Sequence, residues 1–175
     1  MKNVVLASLL AVISVLGMEN AVLSQNSIGM IRERLSASKL LLPRVAFENA
    51  PVNSKALNSF KKKFTAVQNE KWYHNKHRSV AVFEADEVRF SIEYDKKGNL
   101  TGTEKLYGEG KMDREVRKIV KSVYFDYTIT SVREISVPWL FPSPVYIIHI
   151  ENENEFKNLT VYEDEMKIVD ELSKN

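Results

Sequence analysis

The sequence predicts an α+β protein: a tandem repeat of a helix plus antiparallel β-meander, joined into one continuous antiparallel sheet with two helices packed on one face. Three observations carry this. Two amphipathic stretches, PVNSKALNSFKKKF and KMDREVRKIVKSVYFD, place their apolar residues at helical spacing. Each is followed by segments that alternate apolar and polar residues, as half-buried strands do. The ends of the two halves also lie over one another, VRFSIEYDKKGNLTGTEKL on FKNLTVYEDEMKIVDEL, each a strand, a polar turn and a strand with the same alternation. The expected organisation is a signal peptide over 1–24, a tether of low order over 25–51, and a folded domain over 52–175 with repeats at about 52–108 and 109–175.

The first residues indicate the compartment. Met1-Lys2-Asn3 leads into the apolar run VVLASLLAVISVLGM, which has the flanks of a secretory signal and falls short of the ~20 residues a membrane span needs. Cleavage is expected after Ser24, with cleavage after Ala21 as the alternative, so the mature chain is expected in the periplasm or secreted, with no membrane span. The absence of cysteine rules out a lipoprotein anchor, disulfides and Cys-ligated metal. Between the signal and residue 52, Ile28, Ile31 and Leu35 have helical spacing and LLLPRVAF has strand-like composition, but Ser, Asn and Pro interrupt both. Removing 24 residues leaves enough chain for one ordinary domain, which buries roughly 70% of its unfolded surface.

The first helix is capped by Asn53, presents Ala56, Leu57, Phe60 and Phe64 on one face, and pairs Val52 with Leu57 as a staple across its start. Lys55, Lys61, Lys62 and Lys63 fall on its solvated side. Without interleaved aromatics they do not suggest nucleic acid. Three strands follow, in RSVAVFEADE, EVRFSIEYD and LTGTEKLYG, with Gly98 supplying the positive φ of the DKKGN turn. The second helix starts at Asp113 and carries Met112, Val116, Ile119, Val120 and Val123 as its stripe, and strands are expected at TITSVREIS, PVYIIHIE, FKNLTVYE and MKIVDELS. Net charge is only +2, but residues 53–135 hold 17 Lys and Arg against 12 Asp and Glu, and residues 136–175 hold 3 against 8. That asymmetry suits either a solvated surface or a head-to-tail contact between molecules.

The series Phe60, Phe64, Trp72, Phe83, Val88-x-Phe90-x-x-x-Tyr94-Asp95-x-x-Gly98, followed by VRKIVKSVYFDYTITSVREI and VYIIHIE, resembles the small secreted PepSY-like proteins of Gram-negative bacteria. These are similar in architecture to the β-lactamase-inhibitor protein, and the likeness covers about residues 52–173. It implies a non-catalytic periplasmic or secreted binding module, in some relatives an inhibitor, with an unknown protein or peptide as partner. Two features depart from that pattern, the long polar tether and the inserted loop VPWLFPSP. No inhibitory residue carries over, because the likeness lies in core positions.

Catalytic and metal chemistry find little support in the sequence. There is no Gly-x-Ser-x-Gly elbow, Walker loop or His-Glu-x-x-His motif. His74 and His77 are spaced i, i+3, but zinc needs three or four converging ligands, and Lys76 and Arg78 beside them repel a cation. No metal or cofactor is expected. His149 alternates with Val145 and Ile147 on a strand and reads as a structural histidine. Asp164 and Glu165 lie in an acidic turn, and the sequons at Asn99 and Asn158 read as coincidental. Trp72 is expected to plug the gap between helix and sheet, with Tyr73 pointing the opposite way along an extended chain. The candidate partner-binding residues are therefore Trp139, Leu140 and Phe141 in the proline-stiffened loop, and Tyr73, with Glu151 and Glu153 as a polar rim. A structural envelope protein and a hydrolase with an unrecognised site are the alternatives.

Overall fold

A computed structural model describes residues 52–74 and 77–174. The expected signal peptide and tether lie outside the described residues. Helix α1 (Ser54–Lys63) begins where the Asn53 side chain accepts the Lys55 N–H at 2.9 Å. It buries Ala56 and Phe60 and leaves Lys61, Lys62 and Lys63 exposed. Four strands follow: β1 (Lys71–His74), β2 (Arg78–Ala85), β3 (Val88–Asp95) and β4 (Leu100–Tyr107). After a short 3-10 turn, α2 (Arg114–Val123) is capped by Asp113, whose carboxylate accepts the N–H groups of Glu115 and Val116. The chain ends in β5 (Thr128–Ser136), β6 (Val145–Glu151), β7 (Glu155–Tyr162) and β8 (Glu165–Ser173). Helix then four strands thus occurs twice.

All eight strands form a single sheet in sequence order, every neighbouring pair antiparallel. Short connections account for part of this order: the turns of two to four residues between β2 and β3, β3 and β4, β6 and β7, and β7 and β8 return the chain beside the strand it left, whereas the connection through α2 and the loop from Ser136 to Val145 leave the pairing of β4 with β5 and of β5 with β6 to be set by their registers. The β2–β3 and β7–β8 turns use Asp86-Glu87 and Glu163-Asp164, all four at positive φ, the geometry of tight hairpins. Strand β1 was not set apart by sequence reading. Four residues are too few for alternation to stand out, and its pairing with β2 supplies the evidence instead.

The helices pack on the same face over two separate cores. Under α1, Phe60 stacks on Phe64 at 4.9 Å between ring centroids and meets Trp72 edge-on at 5.4 Å, while Phe83 stacks on Phe90 at 4.8 Å. Trp72 is half-buried at the edge of this cluster, and its indole N–H is shielded without a partner. Under α2, Val116 and Val120 pack with Val132, Ile148, Ile150 and Leu159. Where the halves meet, Lys105 and Glu134 face one another in register, and the Glu134 carboxylate accepts from Lys105 Nζ at 2.6 Å and from the Tyr107 hydroxyl at 2.7 Å. One stripe residue departs from expectation. Val123 is 57% exposed, because the helix ends there and Tyr124 supplies the apolar contact with the core.

Candidate interaction surface

Neither of the described helices packs on the opposite face of the sheet, and one rim of that face is built by the loop between β5 and β6. That loop is tightly folded: the N–H groups of Leu140 and Phe141 both donate to the Val137 carbonyl, at 2.8 and 2.9 Å. Pro138, Pro142 and Pro144 fix φ along it and remove donors that a sheet would need, so the chain turns here instead of extending either strand. Phe141 is 7% exposed and meets the Tyr162 ring edge-on at 5.7 Å. Trp139 is 65% exposed, yet its indole N–H donates to the Thr101 carbonyl at the start of β4, at 3.0 Å. The loop therefore does two jobs: Phe141 folds back onto the sheet, and Trp139 is pinned while its ring faces water. Leu140 between them is half-buried.

The structure separates the other sequence candidates from this loop. Tyr73 does lie opposite Trp72 in direction, half-buried and level with Val80, but on β1, three strands from the β4 residue Thr101 that holds the Trp139 indole. Three strand spacings are about 14 Å, so Tyr73 and Trp139 are not in contact with one another. Glu151 and Glu153 are also misplaced by the sequence expectation of a polar rim. The loop enters β6 at Val145, whereas Glu151 closes it, and seven strand residues put about 20 Å between the two ends. These acids instead border an open depression with Asp126, Thr128, Asn154 and Lys174, at the far end of the sheet.

The histidines have local roles. His149 Nδ1 lies 2.7 Å from Asn158 Oδ1, and its ring stacks on Phe156 at 5.9 Å, an arrangement of neighbours on adjacent strands. His74 faces the helix side with Nε2 shielded and without a partner, and His77 is exposed. Among the described residues no three His, Cys, Asp or Glu side chains gather to hold a metal, and no helix is long and apolar enough to cross a membrane. Sequence reading missed the exposed Phe125, in the turn after α2, and Leu172 on the last strand. Both sit in stretches whose apolar pattern resembles that of the core.

Two features define the class of molecule: an eight-stranded antiparallel sheet with two helices on one face, and a rigid aromatic loop on the rim of the other. Solved structures share this fold. A BLIP-like protein from Bacteroides fragilis superposes with a TM-score of 0.55 at 18% identity, covering 71% of this chain and 87% of that one. A DUF2874 family protein from Bacteroides uniformis gives 0.53 at 12% identity, covering 71% and 89%. A protein from Bacteroides eggerthii, provisionally described as periplasmic, gives 0.54 at 12%, covering 72% and 90%. No family model matches the chain, and no curated protein matches it significantly.

Proposed function

We propose that this protein is a non-catalytic binding module of the periplasm or the extracellular space, which engages a protein or peptide partner through the β5–β6 loop with Trp139 as the anchor. The single observation that carries this is the state of Trp139, 65% exposed but held by its own hydrogen bond on a loop closed by Phe141. A large ring that is already immobile loses little conformational entropy on binding, and aromatic anchors of this kind concentrate binding energy. The partner it fits offers an apolar pocket for an indole. The BLIP-like name of one neighbour, the periplasmic description of another and the signal-like start of the chain support the reading. The PepSY-like likeness of the core points the same way, and inhibition of a partner enzyme is one form such binding takes.

The test compares partner recovery by the mature wild-type chain and by Trp139→Ala, from periplasmic and culture fractions, with mass spectrometry of the retained proteins. Because Trp139 is exposed, the variant is expected to melt within a few degrees of wild type while losing the partner that wild type retains. A folded Trp139→Ala variant that retains the same partner at wild-type yield rejects the loop as the anchor. Phe141→Ala serves as a contrast, since it removes a buried ring and is expected to cost stability first.

A further inference from the structure

The connections between β3 and β4, β5 and β6, and β7 and β8 leave the same end of the sheet, because the strands alternate in direction. They stand at different heights. Phe90, Lys105, Glu134, Tyr146 and Val161 lie side by side across β3 to β7 and set a common baseline. Lys96, in the β3–β4 turn, is six residues beyond Phe90 and so about 20 Å above that row, whereas Glu163, in the β7–β8 turn, is two residues beyond Val161 and about 7 Å above it. The aromatic loop takes the level between. Its Trp139 indole is held on the carbonyl of Thr101, four residues before Lys105 and about 13 Å above the row. The end of the sheet is therefore a staircase, with the two turns set about 10 Å to either side of the loop, two strand spacings each.

The high step is basic and the low step acidic. Lys96 and Lys97 are exposed, and the neighbouring Asp95 carboxylate is turned back onto its own turn, where it accepts from the N–H groups of Lys97 and Asn99 and from the Asn99 side chain. Exposed Lys55 adds a third cation, because Asn53 and Ser59 tie the start of α1 to the carbonyls of Lys96 and Gly98. Glu163 and Asp164 are exposed at the tip of the β7–β8 hairpin. Between the two charges stands Trp139, 65% exposed.

We propose that two copies of this chain associate through the staircase about a two-fold axis that passes through the aromatic loop. Rotation about that axis sets the high step of each copy on the low step of the other, so height and charge are matched at both ends at once. Each Lys96–Lys97 turn then meets the other copy's acidic turn, and the two Trp139 rings approach one another near the axis. The twist of the sheet rotates the steps without changing their order. A two-fold contact closes on itself, so the opposite charges of the two halves give a dimer instead of the open chain that a head-to-tail contact would build. The dimer covers Trp139 in both copies, and self-association then competes with any different partner for the same ring. Dimer formation needs only the charges and heights of the turns, and so does not depend on that partner.

The test is sedimentation velocity of the mature chain over a concentration series at about 0.1 M and about 1 M salt, where the screening length is about 10 Å and about 3 Å. The expected result is a concentration-dependent dimer whose dissociation constant rises by about tenfold or more at the higher salt. Lys96→Glu/Lys97→Glu and Glu163→Lys/Asp164→Asn, the Asn chosen because it tolerates the positive φ of this position, should each weaken the dimer by a similar factor alone and restore it when mixed. Far-UV circular dichroism checks that each variant folds. A wild-type chain that stays monomeric at every concentration in the lower salt overturns the proposal, as does a dimer unchanged by salt, one unchanged by either pair of substitutions, or a mixture of the folded variants that forms no mixed dimer. A variant that fails to fold leaves the salt dependence of the wild type to decide. Partner recovery by Trp139→Ala is read separately: a monomeric wild type leaves the partner reading standing, and a Trp139→Ala variant that keeps its partner leaves the dimer standing.

Discussion

Replacing Gly98 with alanine tests how the first helix is locked to the sheet. Gly98 has φ 81°, a left-handed conformation that costs an L-residue about 1–2 kcal/mol. A Cβ at this position would stand 2.7 Å from the carbonyl carbon and Cβ of Lys55 and 2.8 Å from its carbonyl oxygen. These atoms belong to the first turn of α1 and have no rotamer by which to move aside. Relieving the overlap means moving the helix, at about 1–3 kcal/mol by analogy with overpacked cores, and it strains the Ser59 to Gly98 and Asn53 to Lys96 hydrogen bonds. Together these give a loss of about 2–5 kcal/mol. At about 4 °C per kcal/mol for a domain of this size, the midpoint should fall by about 8–20 °C. Urea unfolding followed by far-UV circular dichroism measures the loss, and two companions divide it. Gly98→Asn carries the same Cβ but tolerates positive φ, so it should lose about 1 kcal/mol less than alanine. Gly110→Ala, with nothing within 4 Å of the new Cβ, should stay within about 0.5 kcal/mol of wild type. If Gly98→Ala were as stable as Gly110→Ala, neither the turn conformation nor the helix contact would be what fixes α1.

Three further outcomes are expected. Trp72→Ala should cost about 3 kcal/mol in a thermal or urea melt, since the ring packs on Phe60 and at 6.1 Å on Tyr94; an unchanged midpoint would remove it from the core. Asp113→Ala, which loses both capping bonds of α2, should cost about 1 kcal/mol, with Asp113→Asn retaining most of that on the same measurement. Glu104 has its folded pKa raised by burial, so the folded state holds its proton more tightly than the unfolded state. It therefore opposes folding increasingly as pH rises through the unfolded and then the folded pKa. Glu104→Gln should accordingly be more stable than wild type at pH 7, with the advantage shrinking toward pH 4; a constant difference between melts at the two pH values would refute this.

The sequence by itself determined the local elements and their sides. Asn53 and Asp113 mark helix starts because their side chains cap whatever helix follows them, and Ala81, Phe83, Ile92 and Tyr94 turn toward the helices because alternate residues of a strand must face one way. Gly98 announced its turn for the same local reason. The antiparallel neighbours joined by short turns were nearly as legible, since a turn of two to four residues leaves little choice of neighbour, whereas the pairing of β4 with β5 across α2 rests on their register. Only the tertiary structure decided matters that depend on what lies across space. It extended the sheet by β1, exposed Val123, parted Tyr73 on β1 from the Trp139 indole held on β4, and carried Glu151 to the opposite end of β6 from the loop. Within the loop, Trp139, Leu140 and Phe141 are near-equivalent in composition. Their separation into an exposed anchor, a half-buried residue and a buried plug depends on the Thr101 carbonyl and the Tyr162 ring, partners 38 residues before Trp139 and 21 after Phe141 in the chain. Periodicity reports which way a side chain points, and a distant contact decides whether anything is there to meet it.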